Sequence, residues 1–347
     1  MLAPLTQKLR GRADLTAAEA AAAAGVLASP EGGSDDDKAA FLEALADKGE
    51  TSVEIAAFAT AYRASARDPG VQAWAPRALD VVGTGGDHAG GFNISSLVVL
   101  VLASAGVTVM KHGNRGVTSK CGSADLLAAL GLDLEASPEK CQRALDELGF
   151  CFFFAPAYHP AFRYVAPARK LLAARGRRTV FNLLGPLINP GQPAHALVGA
   201  FSSDAVRKIA GALDELGCAA GLVAHGVIGP ERGIDEMTTA TPNFVRGAGR
   251  LRAIAADWTP SELGFAPSDF ADLLGGDVAH NVGLVEAILA GRGPKGLVDT
   301  IVLNAAAGMW VVGATNDIRA GVDRARDLLL GGAVAGKISD MKRFYRS

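Results

Sequence analysis

The sequence predicts an α/β protein, with a large domain built on a mainly parallel central sheet flanked by helices and a small all-helical N-terminal domain before it. Three observations predict it. Residues 1–67 carry helical spacing and no period-two run. A breaker, Arg67-Asp68-Pro69-Gly70, with Pro76 soon after, closes that stretch. From Ala78 onward, short apolar strands alternate with helical segments. The division falls at 1–75 and 76–347.

In the first part, Leu15–Leu27 is an alanine-rich helix. Asp35–Lys48 opens on aspartates that suit a helix N-terminus. Ser52–Ala64 follows Thr51, and Glu54 stands three residues after that threonine, as in a capping box. In the second part, Ala78–Val82, Val107–Met110, Ala194–Phe201 and Ala220–Ala224 read as buried strands. Ser96–Ala105, Ser123–Leu130, Glu139–Leu148 and Ala205–Leu216 read as helices. The C-terminal third is mostly helical, through Val282–Leu289, Leu297–Val312 and Ile318–Leu330.

Composition narrows the function. Apolar residues make up 49% of the 347, enough for a generous core. A net charge of −2, from 34 basic and 36 acidic residues, leaves no excess to neutralise a nucleic-acid backbone. The four cysteines form no CxxC pair and no metal-ligand spacing, which suits reduced thiols. The first residues lack a secretory pattern, and the longest apolar run, Leu97–Ala103, falls far short of the ~20 residues that span a bilayer. Cytoplasmic residence, with no membrane or nucleic-acid partner, is the expectation.

Six segments carry the chemistry. Asp80-Val81-Val82-Gly83-Thr84-Gly85-Gly86-Asp87 feeds a strand into a loop whose N–H groups can turn toward phosphate, although alone it reads equally as a tight turn. It is neither a Walker A loop nor a GxGxxG fingerprint. Asn93-Ile94-Ser95-Ser96 precedes an apolar helix, where the serines suit caps, and where free N–H groups and hydroxyls also suit an anion or Mg²⁺. Lys111-His112-Gly113-Asn114-Arg115-Gly116-Val117-Thr118-Ser119 intersperses cations with glycines and hydroxyls, the composition of a loop wrapped around a multiply charged anion. His159-Pro160 continues to Arg169, whose guanidinium can fork onto a carboxylate; taken alone, the histidine reads as a turn or core residue. Thr179 through Pro190 reads as a rigid pocket wall. Asp235-Glu236 reads alone as two exposed acids, but on a loop the pair can converge on one hard cation.

Together and in this order, Gly-Thr-Gly-Gly-Asp, Asn-Ile-Ser, Lys-His-Gly-Asn-Arg, His-Pro…Arg, Asn-Leu-Leu-Gly-Pro-Leu and Asp-Glu resemble the anthranilate phosphoribosyltransferase family over essentially the whole chain. The resemblance implies a Mg²⁺-dependent pentosyltransferase of tryptophan biosynthesis. It would move the phosphoribosyl group of 5-phospho-α-D-ribose 1-diphosphate onto the amine of anthranilate. It implies that part of 159–178 packs with the N-terminal helices, and that a homodimer forms through that helical domain. Phosphoribosyl diphosphate would meet Gly83, Gly86, Asp87, Asn93, Ile94, Ser95, Ser96, Lys111, His112, Gly113, Asn114, Arg115, Gly116, Val117, Thr118, Ser119 and Ser123. Anthranilate would meet Gly83, His112, Asn114, His159 and Arg169. Two Mg²⁺ ions are implied, one on Ser95 and a second on Asp235 and Glu236.

No catalytic base stands out; Lys111 and His112 are the electrostatic candidates. The chain departs from the family pattern at Gly91, Gly116, Thr118 and Cys121, and Gly91 replaces a common threonine that can contact phosphate. The rival readings are a pyrimidine nucleoside phosphorylase-like enzyme and a non-enzymatic nucleic-acid-binding relative, which is expected to be more basic.

Overall fold

The computed structural model describes residues 1–116, 120–229 and 232–346. It opens with helices α1 (Leu2–Arg10), α2 (Ala17–Leu27), α3 (Asp35–Lys48) and α4 (Ser52–Ala64). Their caps set where α3 and α4 begin. The Ser34 hydroxyl accepts the Asp37 N–H, and Thr51 and Glu54 exchange hydrogen bonds in a capping box. The Glu54 carboxylate is fully buried and also accepts the Leu15 N–H at 2.8 Å and Lys48 Nζ at 2.7 Å. One carboxylate thus ties the approach to α2, the end of α3 and the start of α4.

The chain then runs through β1 (Leu79–Gly83), α5 (Ile94–Ser104), β2 (Val109–Gly113), α6 (Ser123–Ala129), α7 (Pro138–Glu147), β3 (Phe150–Phe154), α8 (Ala155–Tyr158), α9 (Ala166–Ala174), α10 (Phe181–Leu184), β4 (His195–Gly199), α11 (Ser203–Glu215) and β5 (Ala220–Gly229). After these come β6 (Arg232–Ile234), β7 (Asn243–Gly249) and β8 (Ala255–Trp258), then α12 (Val278–Leu289), α13 (Lys295–Val311), α14 (Arg319–Leu330) and α15 (Ala333–Arg346). The sheet order is β3-β2-β1-β4-β5-β7-β8, with β6 also on β5. β1 to β5 pair in parallel, whereas β6, β7 and β8 join antiparallel.

Successive residues of the central strands face two cores. Val81, Leu197 and Leu222 join a core with α5 and α13. Val82, Val198 and Val223 face a second core, which holds α11 and the N-terminal helices. Val165, Ala168 and Leu172, on and just before α9, belong to that second core as well. The register sets Gly83 beside Gly199, so the carboxyl ends of β1 and β4 finish level. In open parallel sheets that edge is where ligands bind.

The structure differs from the sequence expectation in three places. α5 begins at Ile94, so Ser95 and Ser96 lie within its first turn and do not cap it. Phe150–Phe154 is a strand without alternation, because all but its last residue is buried. Residues 232–258 supply β6, β7 and β8, so the C-terminal third is less helical than its apolar periodicity suggests. No helix among the described residues is long and apolar enough to cross a membrane.

Glu54→Ala would leave the Leu15 and Thr51 N–H groups unanswered and Lys48 with Asp14 as its remaining partner. Breaking such a buried pair should lower the unfolding free energy by ~3 kcal/mol. Urea denaturation followed by circular dichroism measures this, and a loss below ~1 kcal/mol would show the carboxylate to be a bystander.

Candidate active site

Past Gly83 the chain turns through Thr84, Gly85, Gly86 and Asp87, with φ of +67° at Gly85 and +73° at Gly86, a backbone form that favours glycine. The Thr84 N–H bonds to Gly199 O at 2.9 Å. The Gly85 N–H donates to Asp235 Oδ2 at 2.7 Å, and the Asp235 N–H donates back to Asp87 Oδ2 at 3.2 Å. Gly83 and Gly199 answer a separate constraint. A Cβ at Gly83 would come within 2.4 Å of Asp235 Oδ2, and one at Gly199 within 1.5 Å of the Asp235 carbonyl oxygen. Asp235 therefore lies directly against the ends of β1 and β4.

Asp235 and Glu236 follow β6 and are off the strand, so the alternation that would separate them does not apply. Both are half-buried, which corrects the exposed reading of the pair. Withdrawal from water pushes Asp235 well above the ordinary carboxylate range, and Asp87 and Glu236 beside it push the same way. Burial likewise raises Glu236 to about 7, against the pull of Lys111 and of the Ser95 N–H. Asp235 thus holds an N–H donor of the glycine loop, and Glu236 lies near the Ser95 N–H at the α5 N-terminus.

Lys111 lies behind this group, with 1% exposure. Its ammonium donates to Val81 O at 2.6 Å and to Ser95 Oγ at 3.1 Å. It supports the site from beneath and does not wrap an anion as part of an open loop. Burial lowers its pKa, opposed by Asp80, Glu236 and Asp235. Asp80 is buried too and accepts the His112 N–H at 3.2 Å and Asn189 Nδ2 at 2.9 Å. Burial raises Asp80 to about 6, and the Asn189 bond and Lys111 pull it back.

The loop beyond β2 is organised by Asp125 in the first turn of α6. Its carboxylate accepts the Gly116 and Gly122 N–H groups, each at 2.9 Å, and pairs with Arg115 at 3.0 Å. The Asn93 side chain bonds to Cys121 O and Asn281, so it braces this loop, and Ile94 lies in the core. The Ser96 hydroxyl is buried without a hydrogen-bond partner. Ser123 sits against Gly113, where a Cβ would approach its hydroxyl to 2.6 Å. The Asn114 amide oxygen accepts the Arg115 N–H. Val117, Thr118 and Ser119 lie outside the described residues. Gly91 backs onto Ile234, whose Cδ1 would lie 3.1 Å from a Cβ there.

A second group extends from β2 toward the helical part. The His112 and His159 rings meet edge to face at 5.1 Å, His159 meets Phe162 at 5.7 Å, and Phe162 meets Phe181 at 5.6 Å. The Arg169 guanidinium lies over Phe181 at 5.1 Å and Phe162 at 5.7 Å. It opens into a recess of about 220 Å³ with Arg177, Thr179 and Asn182. Both histidines are held neutral by burial, His112 at about 3, with His159 adding to the shift, and His159 at about 4. His112 Nδ1 faces Gly185 O at 3.2 Å and so carries the proton, which leaves Nε2 as a buried acceptor without a partner. Neither His159 nitrogen has a partner of hydrogen-bond geometry. The structure therefore brings His112 and His159 to one wall that leads to Arg169, whereas Gly83 lies against Asp235.

The carboxylates, with Ser95, form a hard-oxygen donor set that suits Mg²⁺. Among the described residues, no three His, Cys, Asp or Glu side chains are spaced to hold one ion together. A cation here would complete its shell on ligand oxygens, as Mg²⁺ does with phosphates.

The sequence pattern described as the glycosyl transferase family, a/b domain, matches residues 75–335, and that described as the helical bundle domain of the same family matches 3–66. The anthranilate phosphoribosyltransferase of Deinococcus radiodurans is 46% identical over 296 residues, covering 85% of this chain and 84% of that one. Its counterpart from Methanocorpusculum labreanum is 40% identical, over 98% of this chain and 97% of that one. The crystal structure of the Thermus thermophilus anthranilate phosphoribosyltransferase superposes with a TM-score of 0.86 at 39% identity, over 99% of each chain. The Saccharomyces cerevisiae enzyme, in complex with PRPP and Mg, shares the fold at a TM-score of 0.83 and 23% identity, over 99% of this chain and 98% of that one.

The two glycines against Asp235 should separate experimentally. Gly83→Ala displaces only the end of a side chain and should lower magnesium–diphosphate affinity at least about tenfold, with a melting temperature within about 3 °C of the parent. Gly199→Ala meets backbone and should destabilise the fold as well. Calorimetry and thermal melts on both variants check this, and the same loss of stability in both would overturn the distinction.

Proposed function

The chain belongs to the anthranilate phosphoribosyltransferase family, and from that premise we propose how its cleft transfers the phosphoribosyl group of 5-phospho-α-D-ribose 1-diphosphate to the amine of anthranilate. The observation that carries the reading is the loop Gly83–Asp87 pinned against Asp235, with a buried ammonium behind it and an aromatic wall leading away to a guanidinium.

The diphosphate would lie along Gly83–Asp87 and the start of α5, with Ser123 and the Asn114–Ser119 loop on its other side. It competes with Asp235 and Glu236 for the same N–H donors unless a cation holds those carboxylates, so anion and cation fit this cleft together. Ser95 would hold one Mg²⁺ and the acid pair a second. Bound there, Mg²⁺ supplies the charge that lets diphosphate leave without a strong general acid.

Transfer is a displacement at the anomeric carbon, with oxocarbenium character by analogy with glycosyl transfer. Positioning and electrostatics are the chain's contribution. Arg169 would grip the anthranilate carboxylate and Asn114 would orient the ring. The amine would then lie near His112, whose bare Nε2 can accept an amine hydrogen. The substituted amine becomes strongly acidic as its bond to carbon forms, so a weak acceptor suffices. Lys111 would lie beneath the leaving group.

The same reading includes tryptophan biosynthesis, cytoplasmic residence, and a homodimer through the 1–75 helical unit and the packed part of 159–178. Phosphorolysis of nucleosides is not favoured, because the curated relatives at 40–46% identity are named for the anthranilate reaction.

Arg169→Ala should raise the KM for anthranilate by about 10- to 100-fold and move that for phosphoribosyl diphosphate far less. Arg169→Lys should rescue only in part, since an ammonium lacks the planar fork. Steady-state kinetics with each substrate varied in turn decides it, and equal losses for both would make Arg169 a support of the fold.

Asp235→Asn with Glu236→Gln should remove most turnover and shift the magnesium requirement upward, while circular dichroism stays that of the parent. Wild-type turnover of this double variant at limiting Mg²⁺ would exclude the acid pair from the metal site.

A further inference from the structure

The tip of the glycine loop is tied by hydrogen bonds at Gly85, Gly86 and Asp87. A Cβ at Gly85 or at Gly86 would meet no atom within 4 Å, so the side on which a side chain would stand is open at both residues between Thr84 and Asp87. Their anchors come from elsewhere. Thr84 is tied to the end of β4 through Gly199 O at 2.9 Å and through the Phe201 N–H, which donates to its hydroxyl at 3.0 Å. Gly85 and Asp87 are tied to Asp235. Gly86 is tied differently. Its carbonyl accepts a hydrogen bond from Arg178 Nη2 at 2.6 Å, from the segment between α9 and α10. The guanidinium lies flat enough over Phe201 to put Cζ 3.9 Å from the ring centroid.

Arg178 is therefore the anchor of the loop tip that does not come from the end of the sheet. It comes from the stretch that leaves α9, and α9 carries Arg169 and packs in the core shared with the N-terminal helices. We infer that Arg178 is a positioning residue that sets the diphosphate-binding loop according to where the α9–α10 segment lies, and so couples the diphosphate side of the cleft to the carboxylate side. The inference rests on the assignment of Gly83–Asp87 to diphosphate and of Arg169 to anthranilate. A guanidinium carries five N–H donors, and Gly86 accepts from one nitrogen, so further donors remain for a phosphate oxygen.

The test uses the full-length enzyme with Mg²⁺. Arg178→Ala should raise the KM for phosphoribosyl diphosphate about tenfold, with kcat within about threefold and the melting temperature within about 2 °C, since the side chain is exposed. Arg178→Met keeps bulk over Phe201 without a donor and should behave like the alanine variant. Arg178→Lys keeps a donor without the planar stack and should recover part of the affinity. Coupling is read by calorimetry of phosphoribosyl diphosphate with and without a saturating, unreactive benzoate. Benzoate should tighten binding in the parent and leave Arg178→Ala unchanged.

An unchanged KM in Arg178→Ala would overturn the inference, as would equal losses for both substrates together with a fall in melting temperature. A parent enzyme with no anthranilate-dependent turnover would instead overturn the functional assignment. Calorimetry of magnesium–diphosphate on the same variants would then still decide whether Arg178 sets the loop.

Discussion

A lysine ammonium closed inside a sheet has to be met by oxygen, and most of the site follows from how Lys111 is met. Its hydrogen bonds go to Val81 O on β1 and Ser95 Oγ on α5, and Asp80, Glu236 and Asp235 supply the negative field. An isolated buried cation is too costly to keep. Burying this one therefore requires carboxylates that are themselves crowded and partly withdrawn from water. Of those carboxylates, Asp235 in turn holds an N–H donor of the glycine loop, and Glu236 lies near the start of α5. The result is a cleft with its charges already placed at the ends of β1 and β4.

The parallel order of β1 to β5 explains why such distant residues meet. Gly83, Gly113 and Gly199 end neighbouring strands in register, and the segments that follow them all emerge on one edge. Close approach there is possible because residues 83 and 199 have no side chain. The opposite face of the same strands packs on α11 and the N-terminal helices, so the helical part reaches the cleft through α9 and α10.

What the sequence made legible was local. The bounds of α3 and α4 agree with expectation because Ser34, Thr51 and Glu54 fix them with side-chain caps a few residues away. The glycine loop, the Lys-His-Gly-Asn-Arg run and the acid pair could be picked out because each concentrates its residue types within a short span. Roles set by distant partners stayed hidden. Asn189 holds Asp80 across 109 residues, and Arg178 reaches Gly86 across 92. Nothing around either residue announces that. Capping, one of the two readings open for Ser95 and Ser96, does not occur, since a serine before an apolar run looks the same at the cap as one turn position later. Phe150–Phe154 lacked the alternation by which strands are recognised.

The connection from β3 to β4 has a consequence for how the molecule comes together. β3 forms one edge of the sheet, yet the next strand in the chain passes over β2 and β1 to insert on the far side of β1. The crossover, residues 155–194, carries His159, Arg169, Arg178 and Asn189. Pairings this far apart in sequence are slow to form, because chain entropy must be given up before any contact compensates. Insertion of β4 is therefore expected to come late, and it brings the aromatic wall, the guanidinium and the Asp80 partner with it. Until β4 is in place, the chain lacks the Gly199 partner of Thr84 and the Asn189 partner of Asp80, and the apolar flank of β1 stays open to whatever chaperone or neighbouring chain is near.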